Sequence, residues 1–333
     1  AKISLQEPER ALAIIDTMEM KKETRPFMIN YMRFMVYVNG YTDYKMADYY
    51  GQLALKDSVE LQKDVVTHWT ILNTLADIAS VNSQFAQSIK YAKAAIELAR
   101  KNNMKDYEVN SIDPLAESMI KLGDIEGGFK LYAEGMETIK KTFHEQQDFN
   151  NASNAYSYLS NYMGSLLGYK RYEEAGKLIP DLLYITKKLE EVGDDIEGFV
   201  EYRQIGTYAL LTNYYDATGN IKESEKYLAK IQKSKLAGML FVEALVSDHY
   251  YDVKDVKSLA EITARIRKNT IATNDTISTF FIENVLDKEM FVSTELGNYR
   301  EAYAKSQVIN SLKDSLVKRN NEEEGTRLAK IYE

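Results

Sequence analysis

Three observations predict an all-α chain built as an α-solenoid of about seven antiparallel helix pairs. Helix breakers are scarce, with four Pro and 16 Gly in 333 residues, while helix-favouring Ala, Leu, Lys, Glu and Met are abundant. A tight-turn motif recurs along the sequence at intervals typical of helical repeats. Between its copies apolar residues fall at helical spacing, as in Tyr31, Phe34, Met35 and Val38, in Leu72, Leu75, Ala76 and Ala79, or in Tyr208, Leu211 and Tyr215.

Taken in order, Pro8 to Ile15 reads as the second helix of a preceding unit, with Pro at a permissible first-turn position. The chain is therefore expected to begin mid-repeat. Ala1 follows no Met, charged stretch or apolar stretch, so an upstream signal or segment is expected to have been removed. The joints then run Gly40 to Ala47, Val81 to Ser88, Lys121 to Gly128, Gly168 to Ala175, Thr218 to Ser224, Asp252 to Leu259, and Leu296 to Ala302. In the clearest, Gly123, Gly219 and Gly297 supply the left-handed conformation that closes a helix, and Asp124, Asn220 and Asn298 then cap the next one. A small residue opens the second amphipathic stretch. Aligned, these positions are Ala47, Ser88, Gly128, Ala175, Ser224, Leu259 and Ala302, 35 to 49 residues apart with a mean of about 42. Pro114 is expected to start or kink its helix, and Pro180 to bend the second helix in which it falls.

This arrangement resembles the tetratricopeptide repeat family over nearly all of the chain, although the family period of about 34 is exceeded in most units. Longer helices or connections would supply the excess, and HEAT-type repeats have periods near 40 as well. The resemblance implies a right-handed superhelix whose first helices line a groove. Carried onto this sequence, the family's groove positions are Asn73, Asp77, Glu117, Asn213, Asp216, Asp248, Asn284 and Asp287. Short polar and acidic side chains dominate them, which favours polar or cationic groups on a ligand. The basic pattern with which chaperone-binding members grip a C-terminal carboxylate is missing.

Residues 1–309 are expected to form the repeat domain and 310–333 a C-terminal exit helix. In that segment Lys313 to Leu316 and Leu328 to Glu333 resemble two boxes found in repeat-bearing membrane regulators of Bacteroidetes, histidine kinases or helix-turn-helix transcriptional regulators. Gly325 and Arg327 depart from the residues usual before that Leu. The resemblance implies a sensory region in the bacterial periplasm, anchored through a following membrane span and acting as a homodimer; the alternative location is cytoplasmic. Asp16-Thr17-Met18, Asp57-Ser58-Val59, Asp275-Thr276-Ile277 and Asp314-Ser315-Leu316 resemble O-glycosylation acceptors of exported proteins in that group, which would require exposed hydroxyls.

The chain carries 42 basic and 50 acidic side chains, a net charge of -8, three His and no Cys. Disulfides and thiolate zinc sites are excluded, and the spread of acidic charge argues against nucleic acid as a partner of this segment. No phosphate-binding Gly loop, Gly-x-Ser-x-Gly elbow or His-Glu-x-x-His motif is present. His144-Glu145 lacks a second His and reads as helix surface; His249 beside Asp248 reads as a helix C-terminal His. Asp194-Asp195-Ile196-Glu197 reads as helix capping rather than a calcium loop. The 25 Tyr, including Tyr156, Tyr158, Tyr162, Tyr169 and Tyr172, read as packing between helices. No cofactor or metal is implied. The expected function is a non-enzymatic sensory or scaffold domain of a signal-transduction or transcription regulator, binding a protein, peptide or small molecule in its groove. The alternative is a free-standing scaffold for a peptide or protein.

Overall fold

The computed structural model describes residues 7–41, 43–193, 198–272, 276 and 278–332; for Ser58, Thr279 and 317–332 it gives the backbone alone. The Asp194 to Glu197 motif and the acceptor at Asp275 lie outside the described residues. Among the described residues every regular element is helical, and none of these helices is long and apolar enough to cross a membrane.

The chain divides into two compact units, Ala1–Tyr158 and Leu159–Glu333. The first holds α1 (Pro8–Met20), α2 (Pro26–Val36), α3 (Tyr44–Leu55), a short α4 (Ser58–Lys63), α5 (Val65–Val81), α6 (Phe85–Lys101), a short α7 (Lys105–Asn110), α8 (Ile112–Lys121) and α9 (Ile125–Glu145). The helix α10 (Phe149–Gly168) runs through the boundary. The second unit continues with α11 (Tyr172–Val192), α12 (Phe199–Ala217), α13 (Ile221–Gln232), α14 (Leu240–Asp252), α15 (Val256–Ala272), a single turn α16 (Thr279–Phe281), α17 (Asp287–Glu295) and α18 (Tyr299–Tyr332). Seven joints among them create seven successive pairs, beginning at α2 with α3 and ending at α17 with α18. The helix α1 packs on α2 through Ala11, Ile15, Ile29 and Val36, as the second helix of an earlier pair would.

The aligned residue is buried in all seven pairs, from Ala47 to Ala302, and is small in every one but that of Leu259. A short side chain there lets two helix axes approach, and a larger one would force them apart. Six of the joints share one geometry. Ser83, Gly123, Lys170, Gly219, Lys254 and Gly297 all adopt positive φ, between 58° and 99°, five positions before the small residue. In each, the next backbone N–H donates to the carbonyl five residues behind it, as Asp124 does to Met119 at 3.0 Å and Asn298 to Ser293 at 2.8 Å. This is the bond that closes a helix on a left-handed residue. Asp43, Asp124, Asn220 and Asp255 then accept from the N–H three residues on, capping the second helix.

The excess over the usual repeat length has visible sources. The helices α4 and α7 are extra short segments between pairs, α9 and α11 each run 21 residues, and two π segments, Tyr37–Tyr41 and Ile282–Leu286, widen first helices. Pro114 sits in the first turn of α8, where its missing N–H costs nothing. Pro180 lies inside α11, which runs on without a break to Val192. The helix α18 continues in one piece past Asn310.

Each unit has its own apolar core. In the first, Phe34, Ala47, Leu72, Leu75, Ala76, Ala92 and Ile96 interlock; in the second, Ile205, Leu228, Val242, Leu259, Ile262, Ile266, Val285 and Ile309 do. Full burial of one such Leu, Ile or Phe contributes about 1.5–3 kcal/mol relative to exposure. Tyr156, Tyr158 and Tyr162 are buried, in keeping with packing, whereas Tyr172 is half-buried and Tyr169 exposed.

Candidate functional site

In the first unit, residues 69, 73 and 77 fall at i, i+4 and i+8 on α5 and so form one row. A chain of hydrogen bonds fixes it: Trp69 Nε1 donates to Ser111 Oγ at 3.0 Å, Ser111 donates to Asn73 Oδ1 at 2.7 Å, and Asn73 Nδ2 donates to Asp77 Oδ2 at 3.4 Å. Ser111 immediately precedes α8, so the chain joins first helices of consecutive pairs. From α8, Asp113 and Glu117 form a second row at i and i+4. Tyr132 Oη donates to Asp113 Oδ1 at 2.7 Å.

Three carboxylates therefore converge. Asp77 reaches solvent, yet dense surrounding protein holds bulk water back, and the negative charges of Asp113 and Glu117 lie close by. Desolvation first, then these charges, hold its carboxyl well above the ordinary carboxylate range. Neither Asp77 nor Glu117 enters an ion pair with a described residue. Such a recess attracts an ammonium or guanidinium group.

The second unit treats its predicted residues differently. The carboxylate of Asp216 meets His249 Nδ1 at 2.7 Å and accepts a hydrogen bond from Ser224 Oγ. His249 thus finds its partner on another helix and not in its neighbour Asp248. Ser224 also lies 3.3 Å from the same Nδ1. In a catalytic relay the hydroxyl and the carboxylate engage opposite ring nitrogens; here both address one, so the trio is a strut between α12, α13 and α14. Asp248 and Asn284 are brought together by Lys288, whose Nζ donates to Ser247 Oγ at 2.5 Å, Asp248 Oδ1 at 2.5 Å and Asn284 Oδ1 at 3.2 Å. Lys288 is buried, and its three N–H groups are matched by three acceptors. Asp252 lies beside this group; desolvation, followed by the charges of Asp248 and Asp216, raises its carboxyl pKa. Asn213 and Asp287 are half-buried and make no side-chain hydrogen bond with a described residue.

Of the eight predicted groove residues, Asn73, Asp77 and Glu117 form the open acidic recess, while Asp216, Asp248 and Asn284 are spent on internal contacts. Trp69, Ser111, Asp113, Tyr132 and Lys288 were not foreseen. The register of Lys288 has a definite cause. The π segment Ile282–Leu286 uses one more residue per turn than an α-helix, so position 288, rather than 287, is turned towards Asp248. No group of three or more His, Asp or Glu among the described residues is placed to hold a metal ion.

No protein-family model matches the chain, and no curated protein does. Among solved structures it is similar to a Rap protein complexed with Competence and Sporulation Factor, at 14% identity over 92% of this chain and 80% of that one, with a TM-score of 0.66. A second similarity is to the apo form of the quorum sensor NprR from B. thuringiensis, at 12% identity over 94% and 98% of the two chains, with a TM-score of 0.49. The expectation of a periplasmic location is corrected: the fold likeness runs to a Rap protein, not to the membrane-regulator region on which that expectation leaned. Of the acceptor residues, Ser315 is exposed and Thr17 half-buried, and each hydroxyl donates to the carbonyl four residues back at 2.8 Å. What the likeness to the Rap protein establishes is the fold, an all-α, tetratricopeptide-like succession of helix pairs.

Proposed function

We propose that this chain is a non-catalytic scaffold that binds a peptide or protein partner, engaging a cationic group of that partner at the recess of Asp77, Asp113 and Glu117. Asp77 carries the reading. A carboxyl open to solvent, held above its ordinary pKa by crowding and like charge, and lacking an ion pair with any described residue, gains from an incoming Lys or Arg side chain or amino terminus, because the cation relieves the repulsion as it docks. The hydrogen-bonded row from Trp69 to Asn73 holds the site in place before a ligand arrives, which lowers the entropic cost of binding. The Rap protein of similar fold is complexed with Competence and Sporulation Factor, which supports reading such a fold as a ligand holder.

The test titrates labelled nonapeptide pools that carry either two Arg or two Gln at fixed positions. Preferential binding of the Arg pool, weakened roughly tenfold by Asp77→Asn with Glu117→Gln and unchanged by Asp106→Asn, supports the reading. Equal binding of both pools sinks it. Beside it stands the proposal that residues 310–333 pass the bound state onward; an unaltered ligand response after their deletion from the full-length protein would refute that part alone.

A further inference from the structure

The exposed face of α13 reverses the charge of the molecule. Between Ile221 and Lys235 the sequence has five Lys against two Glu, in a chain of net charge -8. Lys222, Lys226, Lys230 and Lys233 are all exposed and recur at i, i+4, i+8 and i+11, which places them in one stripe about 16 Å long. Lys226 pairs with Glu223 at 2.7 Å; Lys222, Lys230 and Lys233 enter no ion pair with a described residue.

These cations are held as well as exposed. The ammonium of Lys230 sits 4.8 Å from the ring centre of Tyr208 and 5.1 Å from that of Tyr227, and Lys226 lies 5.2 Å over Tyr227. Tyr227 in turn stacks on Tyr215, with ring centres 5.9 Å apart and planes 5° from parallel. The quadrupole of an aromatic face attracts a cation and restricts the rotamers that a surface lysine would otherwise explore. Lys230 is thus pre-positioned over two rings with its N–H groups left for an acceptor.

We propose that this face of α13 docks an acidic segment of a protein partner, with carboxylates about 6 Å apart meeting Lys222, Lys226 and Lys230 in turn. A single narrow row flanked by Glu223 and Glu225 favours such a segment over a phosphate backbone or an anionic bilayer. Either of those would need a broader basic field than one row of lysines. The face uses none of the residues in the acidic recess and stands independently of that reading.

The experiment follows the full chain against a fluorescent 16-residue peptide of Glu-Ala-Ala-Ala repeats, its Gln-Ala-Ala-Ala counterpart, oligo(dT) and phosphatidylserine vesicles. The expected result is binding of the Glu peptide that weakens with salt, falls roughly tenfold in the triple variant Lys222→Gln, Lys230→Gln, Lys233→Gln, and survives both Lys230→Arg and the remote triple Lys101→Gln, Lys257→Gln, Lys268→Gln. All six lysines are exposed, so circular dichroism should report an unchanged fold. Equal binding of the Glu and Gln peptides, an equal loss in the remote triple, or binding of oligo(dT) or vesicles without the Glu peptide would each overturn the proposal.

Discussion

His249 Nδ1 lies 2.7 Å from Asp216 Oδ2, with only 6% and 2% of the two side chains open to solvent. Since Asp216 ends α12 and His249 stands near the end of α14, this contact ties the first helices of consecutive pairs. His249→Ala would leave the buried carboxylate with Ser224 alone and should cost about 3 kcal/mol. Asp216→Asn, which still offers the ring an acceptor, should cost less than half of that. Urea unfolding of both variants decides the point, and equal losses would contradict it.

Asp77 predicts a conflict between stability and binding. A carboxyl whose folded pKa is raised contributes its stability below the unfolded value and loses it as pH rises through the folded one. Asp77→Asn should therefore raise Tm at pH 7, show no gain below the ordinary carboxylate range, and weaken capture of the Arg peptides. A variant that lowers Tm at pH 7 would place the charge in a favourable setting and contradict the recess.

Glu289 shows the opposite sign. Burial works to raise its pKa but is outweighed by hydrogen bonds from Arg267, at 2.6 and 2.7 Å, and from Lys305 at 2.9 Å, so the net shift is downward. Its stabilisation is present above the unfolded pKa and lost as pH falls through the folded one. Glu289→Gln should cost about 1–3 kcal/mol at pH 7 and flatten the acid limb of a Tm-against-pH curve. An unchanged acid limb would assign the pH response to other groups.

Three joints bear side chains on a left-handed backbone: Ser83 at φ 59°, Lys170 at 58° and Lys254 at 58°. Gly adopts that conformation without the Cβ clash, although it loses more chain entropy on folding. Each of Ser83→Gly, Lys170→Gly and Lys254→Gly should leave a net gain of about 0.5–1 kcal/mol. Chemical denaturation of the single variants measures it.

Gly135 lies inside α9, where Gly→Ala ordinarily stabilises. Here a Cβ would stand 2.0 Å from Tyr158 Oη and 2.8 Å from its Cζ, and that hydroxyl donates to Tyr132 O at 2.9 Å. Gly135→Ala should destabilise by about 1–3 kcal/mol, with part of the loss recovered in Gly135→Ala, Tyr158→Phe. A double-mutant cycle without coupling would place the crowding elsewhere.

The joints were legible because their chemistry is local. Gly123, Gly219 and Gly297 announce a left-handed cap, and Asp124, Asn220 and Asn298 the helix that follows; even Ser83, Lys170 and Lys254 could be placed once the small residue five positions later was aligned. The short α4 and α7 were missed, since six residues are too few for a periodic pattern to stand out. The acidic character of the recess at Asn73, Asp77 and Glu117 was visible in the spacing of first-helix positions. Asp113 and Trp69 were not, because their roles depend on how far α5 and α8 approach one another.

Sequence by itself determined that helices would form in ordered pairs and where each pair would turn, because backbone conformation at a turn and apolar period along a helix are properties of neighbouring residues. Tertiary structure decided which polar side chains remain open. Asp248 and Asp77 occupy equivalent positions in the repeat pattern, each eleven residues before the aligned position that opens the second helix, yet one is paired with the buried Lys288 and the other faces solvent. The difference lies in what the next helix presents, and a π turn that shifts Lys288 by one residue is enough to change it.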